Sequence, residues 1–350
     1  MPELFSHLNL KPNNPLTLEA LTNMLRERET HFLPDVTIPL NEVKVDDNLN
    51  IVLPNSDRTF ALNGHSKAQL NSLLGFRFDK WFEESTVDVK QNELNTRLRR
   101  GNSIIKFRLT DYTSNNSTAD GTVAGIVTPG FQPINDSIVT GILGFNISNN
   151  CKILRASITE QTTEYVIAIG SPENQYAVGE IFRAIGISNS NTGAASFNMK
   201  MMFVRVACNN GLVVPVFDNH GKSASLLISR KHTGNALEEV LDRLHDSVTG
   251  ISDRFRNGIE NLYRASGEAI TDPLKALQFV VRNAHQPKKL AQELLQISFA
   301  KEPLMTKLGI ARAVTDHDSH VALMLSQEAR RDLEQSASNF IGLPYNESIM

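Results

Sequence analysis

Between residues 97 and 108 the chain carries Arg97, Arg99, Arg100, Lys106 and Arg108 with no acid among them. Clustered guanidinium and ammonium groups suit phosphates, because binding of that kind depends on local contacts rather than on whole-chain charge. Residues two apart on a strand share a face. Arg97 with Arg99, and Lys106 with Arg108 across a turn at Gly101-Asn102, are therefore expected to line one groove floored by Ile105, Phe107 and Leu109. A solvated strand edge guarded by charges explains the same residues. Arg205 stands between Val204 and Val206. A charge in such a run must face solvent, find a carboxylate or bind an anion, and partial burial is expected. Arg230 and Lys231 extend the basic set, with His232 beside them reading as part of a basic turn rather than as a catalytic base.

Other chemistry is thinly signalled. Asp316-His317-Asp318-Ser319-His320 packs oxygen and imidazole ligands tightly enough for a divalent ion, yet Asp318 or Ser319 as a helix N-cap explains them equally. Cys151 and Cys208 have no near partner, which speaks against structural zinc. A phosphate-cradling glycine loop is absent, and Gly141-x-x-Gly144 is too short for a dinucleotide fingerprint. A nucleophile and base cannot be chosen from nine dispersed histidines, since such sets are recognised by geometry. No cofactor is expected, and an enzyme is the minority reading.

The scaffold for these residues is read from the apolar period. The chain has 350 residues, 41% of them hydrophobic and 21% charged, with 38 acids against 35 bases for a net charge of −3. That is a globular composition of about two domains, not a wholly basic nucleic-acid coat. No apolar run is long enough to span a membrane, and the first residues lack the form of a secretion signal. With two cysteines, a reducing, cytoplasmic setting is expected.

Residues 1–60 are broken by prolines and read as an irregular arm with one helix opened by Thr17. Residues 66–83 read as a helical pair: Leu70, Leu73 and Leu74 share a face, Gly75 ends the first piece, and Phe76, Phe78, Trp81 and Phe82 form an aromatic cluster. From residue 103 the period is two. Strands are expected at 104–109, 123–127, 152–159, 164–170 and 196–207, a polar loop at 113–118, and an ambiguous segment at 138–149. Asn209-Asn210-Gly211 between apolar runs signals a hairpin. After residue 232 the period becomes 3.6. One long helix is expected over 237–263, then helices from Asp272 to His285, through Leu290 to Leu295, and near 320–336. The expected fold class is α+β, an antiparallel sheet with hairpins and packed helices, divided into an arm (1–60), a core (61–232) and a helical C-terminal region (233–350).

Several short segments, in order, carry a family resemblance. Phe203-Val204-Arg205-Val206-Ala207-Cys208-Asn209-Asn210-Gly211-Leu212 resembles the signature of a phage- and plasmid-borne family, the domain of unknown function nine hundred and thirty-two. Gly186 to Ala195 is similar to its isoleucine-serine-asparagine-serine segment. Ala68-Gln69-Leu70 through Leu74-Gly75-Phe76, Glu93 to Leu98, Phe131 to Asp136 and Lys231-His232-Thr233-Gly234 resemble four further elements. Three departures are visible: Phe131 replaces a tyrosine, Asn135-Asp136 reverses an acid and an amide, and Val123-Ala124 stands for an arginine-alanine pair.

The family name carries no activity; the resemblance implies a mobile-element setting. In outline the chain is also similar to RecT- and Erf-type single-strand annealing proteins, an analogy at the level of fold only. It implies binding of single-stranded DNA by Arg97, Arg99, Arg100, Lys106 and Arg108, joined by Arg205, Arg230 and Lys231, with self-association. The alternatives are a non-enzymatic factor acting on a host or phage protein, a metal-dependent enzyme, and a virion component.

Overall fold

The computed structural model describes residues 7–8, 16–54, 58–75, 84–113, 118–147, 151–175, 179–205, 214–215, 226–249, 251–298, 305–315, 325 and 327–342. Helix α1 (Leu18–Thr30) opens at Thr17, whose hydroxyl accepts the Ala20 N–H at 3.1 Å, and buries Leu18, Leu21 and Leu25. Short strands follow: β2 (Val36–Pro39), β3 (Lys44–Val45), β4 (Ile51–Val52) and β5 (Thr59–Leu62). Helix α2 (Gly64–Leu73) is capped by Asn63, and Gly75 after it takes a positive φ of 66°, as a helix stop requires. Helix α3 (Val87–Arg100), β6 (Ile104–Thr110) and β7 (Gly121–Val127) complete a six-stranded sheet of order β2-β6-β7-β5-β4-β3. All its pairs are antiparallel except β5 with β7. Ile105, Phe107 and Leu109 do face a core, formed with Phe60, Leu70, Leu94, Leu98 and Val123.

After α4 (Asp136–Asn146) the chain builds a second sheet. It joins β1 (His7–Leu8), β8 (Lys152–Ile158), β9 (Thr163–Gln175), β10 (Gly179–Asn189), β11 (Phe197–Arg205), β12 (Val214–Pro215) and β13 (Leu226–Arg230). Every pair is antiparallel, and β12 and β13 share the far edge of β11. One face of this sheet, with Tyr165, Ile167, Ile185, Ile187, Phe197, Met199, Met201 and Phe203, packs into a large core. The helices follow: α5 (Ala236–Thr249), α6 (Ile251–Gly267), α7 (Pro273–Asn283), α8 (Lys289–Ser298), α9 (Lys307–Thr315) and α10 (Gln327–Gly342). Their apolar faces belong to the same core. Phe203 of β11 meets Phe255 of α6 edge-on at 5.3 Å, and Phe340 of α10 lies beside Phe279 of α7.

The fold is α+β, with the change of period near His232 marking the passage to helices. Several expectations change. The first 60 residues are no separate arm over their described part, because α1 enters the large core and β2 to β5 belong to the six-stranded sheet. The helix expected over 237–263 is present as α5 up to Thr249 and α6 from Ile251, and Gly250 lies outside the described residues. The ambiguous segment at 138–149 is helical as far as Asn146, the end of α4, while β10 and α9 had no counterpart in the reading. Trp81, Phe76, Phe78, Phe82, the loop at 114–117, Cys208, the Asn209-Gly211 turn and Asp316 to His320 lie outside the described residues.

A core shared by sheet and helices should unfold as one unit. Phe255→Ala should cost about 3–5 kcal/mol and shift a single denaturant transition, seen alike by tertiary and helical signals. Two separated transitions would show that the helices fold apart from the sheet.

Candidate functional site

The two sheets meet at the turn after β10. Asn189, Ser190, Asn191 and Thr192 are all buried, unusual for a turn, so its polar groups need partners. Ser190 donates its hydroxyl to the Gln161 carbonyl at 2.6 Å and accepts the Ala194 N–H; Thr192 donates to the same carbonyl at 3.1 Å. The Asn189 amide donates to the Ile134 carbonyl at 2.6 Å. Gly193, at φ 83°, turns the chain where another residue would be strained and where a Cβ would strike Val127.

The other side of the turn rests on β7 and α2. The Thr192 carbonyl accepts from the Nε2 groups of His65 (3.2 Å) and Gln69 (3.4 Å), and it lies so near Gly125 that a Cβ there would collide with it. Strand β5 covers β7 only as far as Val123. Beyond that point Gln69 takes over as an edge partner, its Oε1 accepting the Ile126 N–H at 2.7 Å.

Arg108 ties this joint together. Its guanidinium donates to the Asn191 carbonyl at 2.9 Å and to Asp35 at 2.7 Å, lying 4.7 Å from the Phe32 ring centre and 5.7 Å from that of Phe131. Burial pulls its pKa down and Asp35 pulls it up. Lys106 donates to the Phe131 carbonyl at 2.7 Å, and the Phe131 ring stacks on His232 with centres 5.0 Å apart. His232 Nδ1 lies 3.1 Å from the Gln132 carbonyl, and Nε2 is buried without a hydrogen bond of good geometry. Burial lowers the His232 pKa, against the Gln132 and Ala195 backbone groups that raise it, and so favours the neutral ring.

Beneath the turn lies a second polar group. Asp136, the first residue of α4, is fully enclosed, and neither carboxylate oxygen has a hydrogen bond of good geometry. Burial pushes its pKa up to about 7; the nearby Glu29 carboxylate adds to this, while Arg28, Asn189 and Thr163 act against it. Burial raises the Tyr165 hydroxyl likewise, helped by Asp136 and Glu29. Arg28 is turned elsewhere, donating to Thr163 and to the Thr159 carbonyl. Glu29 reaches from α1 to the start of α4, where it accepts both the N–H and the hydroxyl of Ser137. It thereby supplies the cap that Asn135 does not. Enclosed in this way, Asp136 can respond to pH but cannot meet a dissolved substrate.

The fold disperses the expected basic groove. Arg97, Arg99 and Arg100 lie in the last turn of a helix, not on a strand, because Leu94 and Leu98, four apart, are buried together and carry α3 to Gly101. Arg97 is held by Glu93 at 2.8 Å and the Leu74 carbonyl at 3.2 Å. Arg230 is held by Glu239 at 2.7 Å and the Thr233 carbonyl, while Arg99, Arg100 and Lys231 are exposed. Arg205 ends β11 opposite Ile181, and its side chain lies outside the described residues. Lys106 and Arg108 do come together, but around Phe131 and the buried turn. The basic-turn reading of His232 gives way to a buried ring on Phe131. Asp35, His65, Arg28 and Glu29 were missed; nothing in their local spacing marks them.

Among the described residues no three His, Cys, Asp or Glu side chains gather as a metal site needs, and no helix is long and apolar enough to cross a membrane. The sequence family described as Domain of unknown function (DUF932) matches residues 125–339. That span includes Phe131 to Asp136, Gly186 to Ala195 and Lys231 to Gly234, which the fold brings to the joint just described. Comparisons with curated proteins and with solved structures return no match.

The Asp136 environment sets a pH dependence. Its folded pKa is raised from 3.8 to about 7, so the stability it contributes is full below about pH 4 and is lost as pH rises through 7. Asp136→Asn, which imitates the neutral acid, should abolish that loss. Denaturant midpoints at intervals from pH 4 to 8 should show the parent falling relative to the variant; parallel curves would refute the assignment.

Proposed function

The chain belongs to the DUF932 family, whose description assigns no activity, and we propose from its own residues that it binds single-stranded nucleic acid through exposed cations. The observation that carries this reading is the end of α3. Arg99 and Arg100 are exposed neighbours there, with no ionic partner among the described residues, and Ile104 beside them is 57% exposed. The helix dipole favours cations at that end, where the two arginines take adjacent positions in the last turn. Phosphates are met by such groups without regard to sequence, and the overall charge of −3 does not oppose a local contact. Lys231 adds a third exposed base. Action in recombination or replication of a mobile element, with self-association, belongs to the same proposal.

Arg97 and Arg108 are structural on this reading, so Arg99 and Arg100 are the informative pair. Each lost phosphate contact lowers the salt slope for single strands by about 0.7. Arg99→Ala with Arg100→Ala should therefore flatten log K against log salt by about 1.4, with the melting temperature unchanged. Titrating a labelled oligothymidylate at several salt concentrations tests this; no binding by the parent at low salt would end the reading.

A second reading, a protein-interaction role, draws on α4. Phe145 is 94% exposed there and Ile138, two turns earlier on the same side, is 36% exposed. If copies of the chain associate through this face, Phe145→Glu should lower the mass found by sedimentation. An unchanged mass would remove this face from self-association.

A further inference from the structure

The connection between α7 and α8 breaks two local rules. Helix α7 ends in a Schellman motif: Gln286 N–H bonds to the Val281 carbonyl at 3.0 Å, and His285 N–H to Arg282 at 3.0 Å. The left-handed position in that motif usually falls to glycine, yet here it is His285, at φ 55°. Helix α8 then starts with Lys288 just before it and Lys289 as its first residue, and its first turn holds no acid. Cations at a helix start oppose the macrodipole. Lys289 does reach Glu293 at 3.2 Å, but in the less favourable order of base before acid. Arg282, His285, Lys288 and Lys289 are all exposed, while Val280, Val281, Ala284 and Leu290 anchor the segment in the core. Rules broken on an exposed, firmly anchored knuckle mark a place kept for contact rather than for stability.

We infer that this knuckle is a second phosphate-contacting surface for single-stranded nucleic acid, formed by Arg282, Lys288 and Lys289 with His285 between them. It deepens the function proposed above and rests on it. A protein partner would be expected to find an apolar or aromatic anchor at the centre of its interface. No large exposed hydrophobic residue lies between residues 282 and 289. A phosphate backbone needs none, being met by arginine, lysine and the N–H groups of a helix start.

The test uses the full chain and labelled oligothymidylate over a range of salt. Arg282→Ala, Lys288→Ala and Lys289→Ala together should flatten the salt slope by about 2, additively with the change at Arg99 and Arg100. A control removing three exposed arginines of α5 and α6, Arg243, Arg254 and Arg256, should leave the slope as it was. A full slope in the knuckle variant, with the parent still binding, overturns the knuckle alone. Equal flattening by the control also overturns it, since net charge would then be the cause. No binding by the parent overturns both the knuckle and the function it extends. The knuckle residues are exposed, and an unchanged melting temperature certifies the variant.

Discussion

The carbonyl of Thr192 lies against Gly125, where any side chain would strike it, and this close approach sets how near the two sheets can come. A backbone oxygen held that deep must be paired, and His65 and Gln69 of α2 supply the donors. Once α2 is fixed by that pairing, Gln69 is also placed to finish the open edge of β7. The adjacent Asn191 carbonyl receives Arg108, which draws in Asp35, Phe32 and Phe131, and through Phe131 the His232 ring. A carbonyl seated on a glycine thus governs much of the polar structure between the sheets.

Among the described residues, charges are buried at joints between elements. Arg108 with Asp35 joins the six-stranded sheet to the turn of the other, and Asp136 lies where α1, α4, β9 and the end of β10 converge. Lys307, first residue of α9, is buried with its ammonium 3.0 Å from Glu268 just beyond α6, and burial lowers its pKa. Such pairs add little net stability compared with apolar packing, but losing one partner is costly, about 3–5 kcal/mol. They fix which elements meet. Of the basic residues conspicuous in the sequence, Arg108 is buried against Asp35 and Lys106 is tied to the Phe131 carbonyl, while Arg97 and Arg230 stay part-exposed and are paired with Glu93 and Glu239.

The apolar period carried the α+β class, the passage to helices near His232 and the strands β6, β7, β8, β9 and β11, because sheet and helix cores demand periods of two and 3.6. It failed where two periods competed. Arg97 and Arg99 suggested alternation, but Leu94 and Leu98 kept the helical spacing that burial selects. The joint was legible only as separate words. Gln69, Phe131 to Asp136, Gly186 to Ala195 and His232 were each singled out, but what unites them is contact across as many as 127 residues of sequence. Asp35 and Glu29 are ordinary surface acids by local pattern, and only their distant partners make them structural.

The bond from Arg28 to Thr163 spans 135 residues, and Glu29 reaches 108 residues onward to Ser137. Helix α1 therefore emerges from the ribosome long before the strand that will receive it. At about 5–20 residues per second, that interval is on the order of ten seconds. During it the apolar side of α1, with Leu18, Leu21 and Leu25, has nothing native to bury against in β9 or α4. A nascent chain of this design passes through a stage in which its first helix must be shielded by something other than its own fold, and chaperone demand during synthesis follows from the reach of a single arginine.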